Sequence, residues 1–390
     1  MKTFIRLTQC LAPKTISDMT QITIHEWSAE QFLNSQNEWN NLLVQSASDP
    51  LFMSWEWQST WWQVFSEPKN MQLQLLAATN DEGKLVGLAP LYLSTGKTKK
   101  VITTRQLQFI GNRWRGKATM KTELLDFIAA KPVAEQVIRT FYQHIRNLSN
   151  WDELILTDLK KASATYQLLM TEKLLLNCYY RHTEEYGSFF VDTATIDFNS
   201  YIKSLGKNTR LRLYNRRKIL EKIGDVKFSP QEKGTIKQQF DTLNQLHTQR
   251  WGRPVFSNER LLFNETIAQL MDQRGALAFS TLSVAGKTVS IQYNYNLNNH
   301  AYNIQAGFAE GFHKKLALGY LHFGYEIERA CENGTHYYDF LAGDGKNTPY
   351  KERLTKSSLT LVSLQVIRNP FTRNLYRLYD YCRRLRSNPK

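Results

Sequence analysis

Acidic residues are the first shortage. Thirty-five Asp and Glu stand against 50 Lys and Arg, which leaves a formal charge of +15. Such a surplus favours contact with something polyanionic: phosphate groups, nucleic acid or an acidic membrane surface. The plainer alternative is a generally basic soluble chain. Cysteine is scarce too, with only Cys10, Cys178, Cys331 and Cys382. They lie far apart and form no C-x-x-C pair, which argues against a zinc site and against a disulfide framework. A reducing cytoplasm suits them. No apolar run approaches the roughly 18 residues a membrane span needs. Behind Lys2 and Arg6 stands only the broken run "LTQCLA", which does not read as a signal peptide. Two phosphate-binding signatures are missing as well, G-x-x-x-x-G-K-[ST] and G-x-G-x-x-G, and kinase and dehydrogenase chemistry lose support with them.

What remains is a foldable chain. Its 390 residues are 42% hydrophobic and 12% aromatic, enough for a sizeable core and for two or three domains. "HEWSAEQFLNSQNEWNNLL" reads as a helix, with Ser28 as its cap and Gln31 at the reciprocal capping-box position. "SWEWQSTWWQVF" follows, carrying Trp55, Trp57, Trp61 and Trp62. These read chiefly as core packing, with a base-stacking surface as the alternative. "MQLQLLAATNDEGKLVGLAPLYLS" reads as a hairpin around Asn-Asp-Glu-Gly. Strands at "RQLQFIG" and "LLDFIAA", a helix at "VAEQVIRTFYQHIRNL" and a strand at "WDELILTDL" complete the first half.

The second half opens with helices. "FNSYIKSL" is one; "NTRLRLYNRRKILEKIG" is another, with Asn208 as cap and Gly224 as stop. The latter carries Arg210 and Arg217 among six basic residues and has no clean apolar face. It suits a groove or phosphate site, or equally a solvated basic helix. "TIKQQFDTLNQLHTQRW" and "SNERLLFNETIAQLMDQ" are two more helices. Three strands then follow through "ALAFSTLSV", "TVSIQYNYN" and "AYNIQAGF", and after them a helix "YLHFGYEIERACENG", a strand "HYYDFLAG" and a last strand "SLTLVSLQVIR". The tail collects arginines among tyrosines. Both halves therefore run hairpin, strand, helix, strand. The order implies two related α/β units in tandem, each joined by right-handed strand-helix-strand crossovers.

One loop can hold phosphate. "AGFAEGFHKKLALGY" leaves a strand and enters a helix, with Lys314 and Lys315 on the approach and Leu318 and Gly319 at the helix start. Unpaired amides and the helix dipole make such a start an anion site. The strand before it ends at Gln305, Ala306 and Gly307, where small residues would let a cofactor pair with an exposed edge. An ordinary strand-to-helix connection with surface lysines is the alternative.

The combined order of "FMSWEWQSTWWQVF", "GKLVGLAPLYL", "SLGKNTRLRLYNRRKILEKIG", "LHTQRW", "YNIQAGF", "KKLALGYLHFGYEIERACENGTHYYDFLAGD" and "YKERL" resembles GNAT-superfamily acyltransferases of the CelD-like, cellulose-biosynthesis family. It is more distantly similar to the FemAB peptidyltransferases. The resemblance covers about residues 50 to 355. The pyrophosphate motif [QR]-x-x-G-x-[GA] is replaced by "KKLALG". The resemblance implies an α/β (α+β) chain of two tandem GNAT-like units, each a mixed, mostly antiparallel sheet flanked by helices. The units would span residues 20–165 and 185–365, before a basic tail at 366–390.

The implied activity is N-acyl transfer, from acetyl-CoA or another acyl-CoA to an amine, with no metal. The acceptor would be a small molecule or glycan precursor, such as an amino-sugar of envelope or exopolysaccharide synthesis. A splayed strand after the phosphate-binding helix would open the cleft. Asp339 or Asp344 would take the amine proton, Tyr350 would protonate the leaving thiolate, and Lys351 would hold an acceptor phosphate or the oxyanion. Amides of Gln305 to Gly307 are further oxyanion donors, and Arg250 and Trp251 would help form the acceptor pocket. The first half has no counterpart of "KKLALG" and is expected to hold no second donor. Two alternatives stand: an aminoacyl-tRNA-dependent FemAB-like transferase, and a non-catalytic binding protein on a degenerate GNAT fold. A cytoplasmic enzyme with peripheral contact to an acidic membrane is the expected setting.

Overall fold

The structure is a computed structural model that describes residues 21–67, 70–98, 102–114, 119–230, 234–342 and 348–387. Its strands are β1 (Thr23–Trp27), β2 (Gln72–Leu73), β3 (Leu75–Thr79), β4 (Leu85–Ala89), β5 (Leu91–Thr98), β6 (Ile102–Phe109), β7 (Ile128–Ala129) and β8 (Glu153–Lys160) in the first half. The second half holds β9 (Tyr179–Asp192), β10 (Val226–Ser229), β11 (Leu277–Val284), β12 (Lys287–Leu297), β13 (His300–Phe308), β14 (Tyr337–Asp339) and β15 (Ser358–Ile367). A small sheet runs β1-β3-β4-β7, and an 11-stranded sheet runs β10-β11-β12-β13-β14-β9-β15-β8-β6-β5-β2.

The architecture is mixed α/β. Every strand pairing is antiparallel except two. β6 and β8 are parallel, joined through the helix Ala134–Asn147. β13 and β14 are parallel, joined through the helix Leu318–Glu332. A parallel pair cannot be closed by a tight turn, so each needs its crossover helix. Each half thus has one strand-helix-strand crossover, as the element order of the sequence implies.

The halves are fused rather than strung together. β15, last strand of the second half, pairs with β9 from Ser358 to Ile367 on one edge and with β8 of the first half on the other. One apolar cluster includes residues of both halves, from Phe32, Trp57 and Phe141 to Phe263, Tyr293 and Val366. Trp57 sits at the join, 5.1 Å from the Phe263 ring and 4.9 Å from Phe52. The tryptophan-rich helix Trp55–Phe65 buries Trp57, Trp61 and Trp62, so these rings pack the core and offer no stacking surface for bases.

Several elements differ from the sequence expectation. Residues 25–43 are not one helix: β1 pairs with β3, Ser28 caps a short helix Ala29–Asn34 with its capping box, and a second helix, Gln36–Val44, follows. Around residue 208 the cap is Gly206, and the helix is interrupted by a π-helical turn over Leu211–Asn215. Helix Leu318–Glu332 presses against that turn; a Cβ on Gly324 would lie 2.3 Å from the Leu213 carbonyl oxygen. "LLDFIAA" contributes only Ile128–Ala129 as strand. "HYYDFLAG" leaves the sheet after Asp339, because Leu341 turns the chain at φ 57°. The tail forms a helix, Pro370–Ser387. Among the described residues no helix is long and apolar enough to cross a membrane.

Candidate functional site

The second half holds a split in its sheet. β13 pairs with β12 along its whole length, from His300 to Phe308. It pairs with β14 only from His300 to Tyr302. Past Tyr302 the β14-facing edge of β13 has no strand beside it among the described residues. Edge amides left this way need a partner. At one of them the protein supplies its own: Gln305 folds over and its Oε1 accepts from the Ala306 N–H at 2.9 Å.

The split opens into a cleft of about 290 Å³ between the two halves. Asn303, Ile304 and Gln305 form one wall, and Phe340, Leu341, Tyr350 and Lys351 another. The first half closes it with Phe52, Trp57, Met120, Lys121 and Glu123. The segment carrying Lys121 and Glu123 is pinned from below. Trp57 Nε1 donates to Thr122 Oγ1 at 2.9 Å and Trp61 Nε1 to the Met120 carbonyl at 3.1 Å. Asn112 accepts from the Thr122 N–H at 2.9 Å and donates to its carbonyl at 2.8 Å. Two core tryptophans and one asparagine therefore fix where two charged side chains stand.

Glu123 is the group that sequence reasoning missed. It is buried, and its Oε2 accepts from the Ala342 N–H at 2.7 Å across the join of the halves. Burial pushes its carboxyl up to about 6, against the opposing pull of Lys121. The acid is thus poised to change charge near neutrality. Its only sequence signal was one glutamate inside the apolar run "KTELLDFIAA".

Tyr350 and Lys351 both line this cleft. Burial raises the Tyr350 phenol to about 12, so it keeps its proton at neutral pH. Its ring lies 6.2 Å from Tyr320 and 6.5 Å from Phe323, on the first turns of helix Leu318–Glu332. Lys351 is buried and donates to the Phe340 carbonyl at 2.8 Å and the Leu341 carbonyl at 2.6 Å. It holds the chain where it leaves β14.

Asp339 does not line the cleft. Its carboxyl is 1% exposed, with Oδ1 accepting from the Leu341 N–H at 2.7 Å and Oδ2 3.3 Å from His300 Nε2. That is the geometry of a turn-closing aspartate. Asp344 lies outside the described residues.

The start of helix Leu318–Glu332 has the features of an anion site. Its N-cap, Ala317, offers no side-chain hydrogen bond to the first amides, and Lys314 and Lys315 are both exposed on the approach. Gly319 packs against Phe308, where a Cβ would meet the ring at 3.0 Å. Gly307 has a packing role: a Cβ there would meet Leu243 at 3.0 Å, and its carbonyl accepts from Ser290 Oγ at 3.1 Å.

The expected acceptor residues stand elsewhere. Arg217 donates to Glu328 Oε2 at 2.5 Å and lies 3.7 Å over the Tyr325 ring. Arg210 is half-buried on the helix Lys207–Arg210. Arg250 pairs with Glu310 at 3.3 Å and covers Phe308 at 4.4 Å, beside the helix start. Trp251 is 59% exposed. None of the four lines the cleft.

Lys121 also borders a second hollow of about 460 Å³, walled by Asn112, Arg113, Trp114, Thr119 and Asp158 of the first half and by Glu184 of β9. Asp158 stands at its floor in a left-handed conformation, φ 57°. It accepts from Asn112 Nδ2 at 2.8 Å and from Tyr186, and lies 3.4 Å from Lys121.

Residues 207–352 match the acetyltransferase (GNAT) domain family. No curated protein matches the chain. Among solved structures, FemX is 11% identical, with 91% of this chain and 99% of that one covered at a TM-score of 0.56. L-PGS from Bacillus licheniformis is 11% identical, with 86% and 92% covered at 0.52. The C-terminal domain of a putative lysylphosphatidylglycerol synthetase from Agrobacterium fabrum is 8% identical, with 90% and 95% covered at 0.51. At these identities the likeness is one of fold.

Proposed function

We propose that this GNAT-fold acyltransferase moves an acyl group from acyl-CoA, with acetyl as the simplest case, to an amine. The observation that carries the reading is the split between β13 and β14, which leaves an open strand edge beside an uncapped helix start and two lysines. The thioester arm would pair with the β13 edge, and the phosphates would meet the helix start, Lys314 and Lys315. Glu123 would take the proton from the acceptor amine as its nitrogen attacks the thioester carbonyl. The carbon–sulfur bond then breaks, and Tyr350, still protonated at neutral pH, would deliver its proton to the departing sulfur. The hollow beyond Lys121 would admit the acceptor, an amino-sugar or another glycan precursor of a CelD-like pathway in the cytoplasm. Mixing the chain with acetyl-CoA and a panel of amines that includes glucosamine tests this. Amine-dependent release of free thiol is the expected result, and no release with any amine would sink the reading.

A second reading keeps the fold and changes the donor to aminoacyl-tRNA. The +15 charge and the FemX-like fold favour it. A salt-sensitive gel shift with charged tRNA, absent any acetyl-CoA binding, would replace the first reading with this one.

A further inference from the structure

The helix Pro370–Ser387 packs on the protein chiefly by one stripe, with Arg373 donating to the Asn177 carbonyl and Arg377 lying 5.5 Å over the Tyr179 ring beside it. Thr372 and Tyr376 are buried, and Asp380 accepts from Arg181 Nε at 2.6 Å. Those positions are four apart and share one face. Another face carries Phe371, Leu378 and Leu385, seven apart, each at least 60% exposed. Tyr381, also 61% exposed, widens that row. A continuous apolar row of this kind is rare on a free surface. Arg377 and Arg384, both exposed and seven apart, run along its flank. The helix's single acid, Asp380, is engaged by Arg181.

We propose that this helix lies flat in the interface of an anionic lipid bilayer, with Phe371, Leu378 and Leu385 among the acyl chains and the arginines against lipid phosphates. An apolar row beside a cationic flank is the pattern of an interfacial helix. Anionic headgroups attract the flank, and the chain's surplus of +15 adds to the attraction. A second copy of the chain is a poorer occupant, because facing helices would bring the same arginine flanks together. Nucleic acid would use the arginines but leave the apolar row in water. The proposal is independent of the acyl-transfer reading.

Sedimentation of the full chain with vesicles tests it. The chain is expected to bind phosphatidylcholine vesicles containing phosphatidylglycerol, and to bind phosphatidylcholine alone at least tenfold more weakly. F371S/L378S/L385S should lose binding by tenfold or more while circular dichroism stays unchanged. R377Q/R384Q should lose about thirtyfold, near fivefold per arginine. The proposal is overturned if the parent chain ignores anionic vesicles or if both variants bind as the parent does. It is overturned equally if light scattering finds a dimer that the apolar variant splits, which would make the face a contact between copies.

Discussion

Glu123 shows what a single buried side chain contributes. The Ala342 N–H holds its carboxylate at 2.7 Å, and burial lifts its pKa to about 6. A glutamate with a folded pKa above its unfolded value is stabilised in the protonated form. It therefore costs folding stability as pH rises from about 4.5 toward 6, and above 6 it is charged and ready to accept a proton. Acyl transfer should accordingly rise with pH through an acid limb near 6 in kcat/KM. Replacing Glu123 by Gln should lower the rate about 100-fold or more and remove that limb, with donor affinity unchanged. A variant that keeps the parent's rate and pH profile would leave Glu123 a purely structural bridge. Beyond one glutamate in an apolar run, the sequence did not point here, because the Ala342 amide lies 219 positions away. The place of Tyr350 and Lys351 beside the cleft follows from the strand and glycine-rich break before them, but the expected hold of Lys351 on an acceptor phosphate or oxyanion gives way to its bonds with the Phe340 and Leu341 carbonyls. Asp339 was placed on the right strand, but its orientation was not legible. The left-handed turn at Leu341 draws its carboxylate back onto the Leu341 N–H.

At the scale of elements, the crossover Leu318–Glu332 was legible from its loop, its lysines and its glycine. The length of β14 was not. "HYYDFLAG" has strand-like residues throughout, yet only Tyr337–Asp339 pair, since pairing depends on where β13 and β9 allow it. That shortness is what opens the cleft. The break at Leu211–Asn215 was equally hidden, because it answers to the close approach of Gly324 on a helix more than 100 positions later. The helix start makes its own prediction. Changing Lys314 and Lys315 together to Glu should weaken acetyl-CoA binding more than tenfold, a cost above about 1.4 kcal/mol for two reversed charges near phosphates. Both side chains are exposed, so folding should not change. Unaltered affinity in the double variant would move the donor site away from this helix.

At the scale of the whole molecule, two tandem α/β units were legible as a repeated order of elements. Their fusion was not. A strand that closes one unit and also pairs with the other leaves no mark in local pattern, yet β15 does so through its pairing with β8. The fusion places Lys121 and Glu123 of the first half opposite Gln305 and Tyr350 of the second in one cleft. The first half has its own parallel crossover, but its helix Ala134–Asn147 begins beyond a Lys-Pro-Val turn with no counterpart of the paired lysines. One donor site is therefore expected in a chain whose described residues form two crossovers. Calorimetric titration of the full chain with acetyl-CoA tests that most directly. One molecule bound per chain, lost in the Lys314/Lys315 double variant, is the predicted result. Two molecules per chain, or no binding at all, would contradict it.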